Sequence, residues 1–405
     1  MSIDVPATAS PPAQGAPSPA RDWPFRTRLG PLPLPPKRVR LWALAIAAIG
    51  LVPIDTALEN GGSDWPAFWS AGATVGTPNL VDGARHAAWQ AAHGVAIDYW
   101  RYPPAVAYLF APVSNLPMWV GFIIQTLLML ALTGVAGLLL ERIFELPASV
   151  AVLLALAWTP TAASADIGQN ATVAVVLALW AIDALRRDRQ LEVGLAVGLL
   201  MYKPTLAIFL LGFLLLRGRW RAVAVAAAIG AAWYLVSVAA AAGDWGWPFA
   251  WWSGMQPWFQ PDFIRNADKA ISLPGLLARI SAPLWLTVAV GAAIVALALR
   301  GLARAPIVEA ASAACLLTMV AGPRVWGYEA GLFLPILAWA AAGGLREPWR
   351  TRLVFLAIPL SLLWLVSAYT VVSGVAVVTT VAMAMWLWKW RPVMRRQEAV
   401  PVVPA

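Results

Sequence analysis

Cysteine is almost missing from this chain: Cys315 stands alone among 405 residues. It lies in an apolar run, so neither a disulfide nor a cysteine metal site can be built. Histidine is nearly as scarce. His86 and His93 are the only two, seven residues apart on an amphipathic stretch. With no third ligand nearby they read as a solvated helix face, not a metal site. Charge is scarce too, at 12% of residues, where a soluble domain carries about a quarter. No strong tandem repeat is present, which argues against carriers built from repeated halves. A cleavable signal peptide is not evident.

Apolar residues fill the space that charge leaves. They make up 60% of the chain, and mean hydropathy is +0.70. Runs long enough to cross about 30 Å of hydrocarbon recur from residue 41 to residue 390. The class is therefore all-α, a polytopic helical membrane protein. Its net charge of +9 is no nucleic-acid signal. The basic residues sit in short clusters between spans, at Arg38–Arg40, Arg186–Arg189, Arg217–Arg221, Arg300–Arg304, Arg346–Arg352 and Lys389–Arg396, as the positive-inside rule requires.

Length and charge place about twelve spans with both termini cytoplasmic. Residues 1–36, rich in Pro, Ala and Ser, read as a disordered cytoplasmic tail, and 392–405 as a second tail. A membrane core occupies 37–345, with long external loops at 59–117 and 243–281, and 346–391 holds the C-terminal membrane helices. Spans fall at 41–58, 118–140, 147–164, 171–185, 221–242, 283–299, 306–321, 328–342, 352–370 and 373–390. Residues 191–216 are the exception, because arginine clusters flank both ends. A single crossing would strand one cluster on the wrong side. Two half-length helices meeting at Tyr202-Lys203-Pro204 remove the conflict, and each is too short to cross alone. Irregular backbone at that depth must line a cavity or be buried in protein.

The residues able to do chemistry lie in the loops and at this break. Asp64 precedes Trp65, Phe68 and Trp69, and a carboxylate among rings at a membrane surface is placed to act as a general base. Helix capping is the structural alternative, since Asp before Trp-Pro fits an N-cap. Arg101 and Tyr102 precede a double proline, where they can meet a lipid phosphate or simply anchor at the interface. Lys203, one of four lysines, is surrounded by apolar residues. A cation near the bilayer centre costs about 2.5–3.5 kcal/mol and needs a partner or a wet cavity, unless it snorkels to the nearer interface. Gln169 and Asn170 open a span whose N-terminus suits phosphate or sugar hydroxyls, or is merely capped by Asn170. Arg324, Tyr328 and Glu329 sit at an external boundary, where Glu329 can pair with Arg324. Trp245, Trp247, Trp251, Trp252 and Trp258 crowd the second external loop and, like those of the first, can stack on sugar rings.

Taken together, Gly62-Ser63-Asp64-Trp65-Pro66-Ala67-Phe68-Trp69-Ser70-Ala71-Gly72, Tyr102-Pro103-Pro104 with Ala111-Pro112 and Leu116-Pro117, Gly168-Gln169-Asn170, Tyr202-Lys203-Pro204 with Arg219-Trp220-Arg221, and Gly322-Pro323-Arg324 leading to Gly327-Tyr328-Glu329 resemble glycosyltransferase family 87. Order and spacing match over roughly residues 40–345. The resemblance implies a GT-C type fold and an inverting hexosyltransferase that uses a polyprenyl-phosphate sugar, with mannose the first sugar to consider. It implies Asp64 as the base, and Lys203 with nearby cations as the holders of the donor phosphate. Related sequences often carry Tyr-Asp where this chain has Tyr328-Glu329. The implied partners are a lipid-linked donor, a lipid or glycan acceptor and the bilayer, with no nucleic acid, no cofactor and no metal. The implied location is a plasma membrane of bacterial type with the active site on its extracytoplasmic face, in glycolipid or cell-envelope polysaccharide synthesis. A transporter or flippase of polyprenyl-linked lipid is the rival reading, since it too needs a cavity, a buried cation and broken helices.

Overall fold

The computed structural model describes residues 64–265, 269–322, 325–343, 357 and 368–390. Among them the chain is helical, with one isolated bridge between Ala270 and Trp326 and no strand. The principal helices are α1 Trp65–Thr74, α2 Gly83–Ala92, α3 Met118–Phe144, α4 Ala148–Ala157, α5 Thr159–Asp166, α6 Ala171–Arg186, α7 Gln190–Leu200, α8 Pro204–Leu216, α9 Trp220–Ala240, α10 Trp247–Arg265, α11 Leu273–Arg279, α12 Leu284–Arg304, α13 Ile307–Ala321, α14 Leu334–Gly343 and α15 Ala368–Lys389. Among the described residues α3, α9 and α12 are long and apolar enough to cross a membrane. At 1.5 Å per residue they reach about 30–40 Å. The expected span at 41–58, most of that at 352–370 and both tails lie outside the described residues.

Two expected spans are not single helices. The stretch 147–164 breaks at Trp158, whose backbone is extended between α4 and α5. Pro160 restarts the helix, and the buried Trp158 indole donates to the Ala330 carbonyl at 2.7 Å. A tertiary bond thus holds the break open. The stretch 328–342 begins as a 3-10 segment, Gly327–Phe333, before α14 continues it.

The hairpin expected at 191–216 is present. Helices α7 and α8 have 11 and 13 residues and meet at Met201-Tyr202-Lys203. Arg219, just after the second half, pairs with Asp188, just before the first, at 2.5 Å. That bond brings both arginine-rich ends to one side and leaves Lys203 at the opposite tip. The buried face of α7 lies on α9, where Gly198 permits close approach: a Cβ there would stand 2.6 Å from Ile229 Cβ.

The first long loop segment folds down onto α3. The Trp65 indole donates to Met118 O at 2.9 Å, and that of Trp69 to Leu116 O at 3.1 Å. Ser114 Oγ ties back to Trp69 O at 2.7 Å. Trp65 is fully buried, so this ring is a packing element and not a sugar platform. His86 corrects another expectation. It is buried, not solvated, with its Nε2 2.9 Å from Ser70 Oγ. Burial pushes its pKa down to about 4, which keeps the imidazole neutral in this polar core. His93 stays outside, stacked on Trp89 with ring centroids 3.9 Å apart.

Candidate active site

Asp64 stands at the entry to α1, yet its side chain makes no cap bond. The capping alternative fails because the carboxylate is engaged elsewhere: Gln169 Nε2 donates to Asp64 Oδ2 at 2.6 Å. The two segments are also joined through the main chain, Asp64 N donating to Ile167 O at 3.0 Å. Gly168 makes this approach possible. Its φ is +76°, and a Cβ on it would lie 2.7 Å from Trp65 Cβ.

Asn170 likewise sits at the N-cap of α6 without a side-chain cap bond. Ser164 Oγ instead takes the Ala171 N–H at 3.1 Å. Asn170 turns towards two phenols. Tyr202 O–H donates to Asn170 O at 3.0 Å, and Tyr102 O–H lies 3.3 Å from Asn170 Oδ1 and 2.9 Å from Gln169 Oε1. The rings of Tyr102 and Tyr202 are parallel, with centroids 6.2 Å apart.

Lys203, at the N-terminal boundary of α8, does not snorkel away. Its ammonium forms an ion pair with Glu329 and donates to Tyr102 Oη at 3.4 Å. It also lies 5.3 Å from the Tyr102 ring centroid and 5.4 Å from that of Tyr328, within cation–π range. Glu329 holds the Trp326 N–H with its other oxygen at 2.7 Å. The 3-10 turn aims the Glu329 carboxylate at the hairpin tip, where it meets Lys203. Arg324, the expected partner, lies outside the described residues.

Arg101 pairs with Asp98 at 2.7 Å, so it is held in the loop and not left as a loose interfacial anchor. Asp98 was not singled out from the sequence, and no motif marks it. The Gln90 side chain brackets its backbone, donating to Asp98 O at 2.8 Å and accepting from Asp98 N at 3.1 Å. Burial pushes the Asp98 carboxyl up to about 6; Arg101 opposes that rise and the Asp64 charge adds to it. The same Asp64 charge favours the protonated Arg101. Asp64, Asp98 and Arg101 therefore form one electrostatic set.

These groups adjoin a cavity of about 1250 Å³. Its polar end carries Arg101, Tyr102, Gln169, Lys203, Tyr328 and Glu329. Asp64 lies behind Gln169 in this wall and is half-buried. The cavity continues along an apolar flank from Phe209 of α8 to Leu284, Val288 and Val295 of α12. Trp247, Trp251 and Trp252 of α10 cover it from outside, and Trp326 borders it as well. The Trp251 indole donates to Trp100 O at 3.1 Å, linking the second long loop segment to the first. The tryptophans beside the cavity are thus those of the second segment, while Trp65 and Trp69 of the first are committed to packing. Among the described residues no group of three His, Cys, Asp or Glu is close enough to hold a metal ion.

The site joins acid, amide, phenol and cation next to a chamber that is polar at one end and apolar at the other. Such a chamber can take an amphiphilic ligand, with its polar head at the cationic end. No curated protein and no solved structure matches the chain. The family model of glycosyltransferase family 87 matches residues 100–323, which include Arg101, Tyr102, Gln169, Asn170 and Lys203. Asp64 and Glu329 lie outside that segment and are bonded to it through Gln169 and Lys203. The match spans more than half of the 405 residues, and the chain belongs to glycosyltransferase family 87.

Proposed function

We propose that this membrane glycosyltransferase takes a hexose, such as mannose, from a polyprenyl-phosphate donor and passes it with inversion to a lipid or glycan acceptor on the extracytoplasmic face. The architecture is of GT-C type, with about twelve spans. The observation that carries this reading is the lining of the large cavity, whose polar end meets Lys203 and Arg101 and whose apolar flank runs down α12. A nucleotide sugar has nothing to place along that flank, whereas a polyprenyl chain does.

In this reading the donor phosphate lies against Lys203 and Arg101, with its isoprenoid tail beside Val288 and Val295. Asp64 takes the proton of the acceptor hydroxyl as that oxygen forms a bond to the anomeric carbon. The bond from that carbon to the phosphate oxygen breaks on the opposite face, and polyprenyl phosphate leaves with the electron pair. Fixed cations stabilise the leaving charge more strongly in a water-poor chamber than in bulk water. Among the described residues the two cations already face three carboxylates, Asp64, Asp98 and Glu329. The incoming phosphate therefore exchanges with carboxylate partners. Burial has already pushed the Asp98 carboxyl up to about 6, so it can give up its charge as the phosphate arrives.

The test is a plug in the apolar flank. Val295→Trp is expected to raise KM about tenfold for a long-chain polyprenyl-phosphate sugar, with little change for a donor of one or two isoprene units. Equal effects on both donors, or none on the long one, would remove the tail from this flank.

A further inference from the structure

We propose that Gln169 and Tyr102 are positioning residues, forming a one-way hydrogen-bond chain that sets the Asp64 carboxylate in register with the charge at Lys203. The inference rests on Asp64 being the base. It adds a means by which the phosphate end of the site reaches the proton-accepting end.

The sense of the chain is fixed by its ends. An ammonium can only donate and an ionised carboxylate can only accept. Lys203 therefore donates to Tyr102 Oη, the Tyr102 O–H goes to Gln169 Oε1, and Gln169 Nε2 donates to Asp64 Oδ2, at 3.4, 2.9 and 2.6 Å. Turning the Gln169 amide over would set its carbonyl against the carboxylate and leave the phenol without that acceptor. One amide orientation satisfies both neighbours.

The link in the middle is rigid. Gln169 and Tyr102 are 3% and 6% exposed. Gln169 N donates to Ser164 O at 2.8 Å, and Gln169 O accepts from Gln125 Nε2 at 3.3 Å. Tyr102 is held between Phe68, with ring centroids 5.3 Å apart, and Tyr202. Only the Tyr102 proton has a choice, because Asn170 Oδ1 lies 3.3 Å away as a second acceptor. A phosphate that draws Lys203 away from Tyr102 weakens the polarisation of the phenol, and with it the hold of Gln169 on Asp64. Occupancy at one end is thereby felt at the other without movement of the backbone. No proton travels the chain, since the amide carries none to give up; its work is orientation.

The experiment compares Gln169→Met and Tyr102→Phe in the full-length protein, using the polyprenyl-phosphate sugar that the unaltered protein turns over. Each variant is expected to lower kcat by about 10- to 100-fold, the scale of a slight misplacement of a reacting group, with donor KM within about threefold. The double variant should be no worse than the poorer single one, because both cut the same chain. Gln169→Glu gives a readout that a packing role would not move. A second carboxyl facing Asp64 should shift the acid limb of the pH–rate profile upward by about one unit. The groups around Asp64 that contribute to that profile are Asp98, Arg101 and Tyr102 from the first external loop, Asp166 beside Ile167, Lys203 from the hairpin, and Tyr328 with Glu329 from the 3-10 turn. Tyr102→Phe removes one oxygen from a packed ring, so its thermal midpoint serves as the folding control. A raised donor KM with unchanged kcat, or unaltered kinetics in both variants, overturns the chain. Asp64→Asn in the same assay separates the two levels. If it stays active, the base assignment falls and takes the chain with it. If it is dead while Gln169→Met behaves like the parent, only the chain falls.

Discussion

Asp64→Asn should lower turnover by about 10²–10⁴-fold, the range for loss of a general base, while the protein still binds the donor. The substitution keeps the shape of the side chain and can still accept the Gln169 N–H. What it loses is the capacity to take a proton. Donor binding is expected to survive because Lys203 and Arg101, the proposed phosphate ligands, line the cavity themselves and keep their charge in this variant. Titration with a fluorescent polyprenyl phosphate, beside a transfer assay, checks both halves. Near-normal turnover removes Asp64 from the base role. A loss of binding equal to the loss of turnover would make it a donor ligand instead.

Lys203 should show the largest effect on stability. Its partner Glu329 is 2% exposed, and Lys203→Met leaves that carboxylate buried without its cation. Breaking one side of a buried pair costs about 3–5 kcal/mol, so the apparent melting temperature should fall clearly. Lys203→Met combined with Glu329→Gln removes both charges, and the glutamine can still accept the Trp326 N–H. Most of the stability is expected to return, while donor binding stays weaker by tenfold or more and transfer stays lost. That pattern separates the structural duty of the pair from its duty towards phosphate. If the double variant binds and transfers like the parent, Lys203 serves the fold alone.

Much of this site is legible in the sequence because membranes make polar residues conspicuous. Lys203 stands out against its apolar flanks, and the arginine clusters at both ends of 191–216 force the hairpin that the Arg219–Asp188 pair closes. Asp64, Tyr102, Gln169 and Lys203, spread over 140 residues of chain, converge in space because the first long loop segment packs back onto α3 and the hairpin tip rises to meet it. What stayed hidden are the pairings. No local pattern around Glu329 points to Lys203, to which a 3-10 turn directs it. Asp64 and Asn170 have the local pattern of helix caps, yet both side chains are drawn away by partners that local pattern does not show. Asp98 has no distinguishing neighbour in sequence, and its weight comes only from burial beside Arg101. The Trp158 break depends on a bond to Ala330, 172 residues away. His86 looks solvated on an amphipathic stretch, but it is buried against Ser70 and Thr74.

The central claim is transfer of a sugar from a polyprenyl-phosphate carrier at the Asp64–Lys203 site. Its most direct test is an in vitro assay with purified protein, a panel of radiolabelled polyprenyl-phosphate sugars, matched nucleotide sugars and total membrane lipid as acceptor. The expected result is a labelled product from at least one polyprenyl-phosphate sugar, from none of the nucleotide sugars, and lost in Asp64→Ala. Label transferred from a nucleotide sugar, or from a polyprenyl-phosphate sugar without need of Asp64, would contradict it.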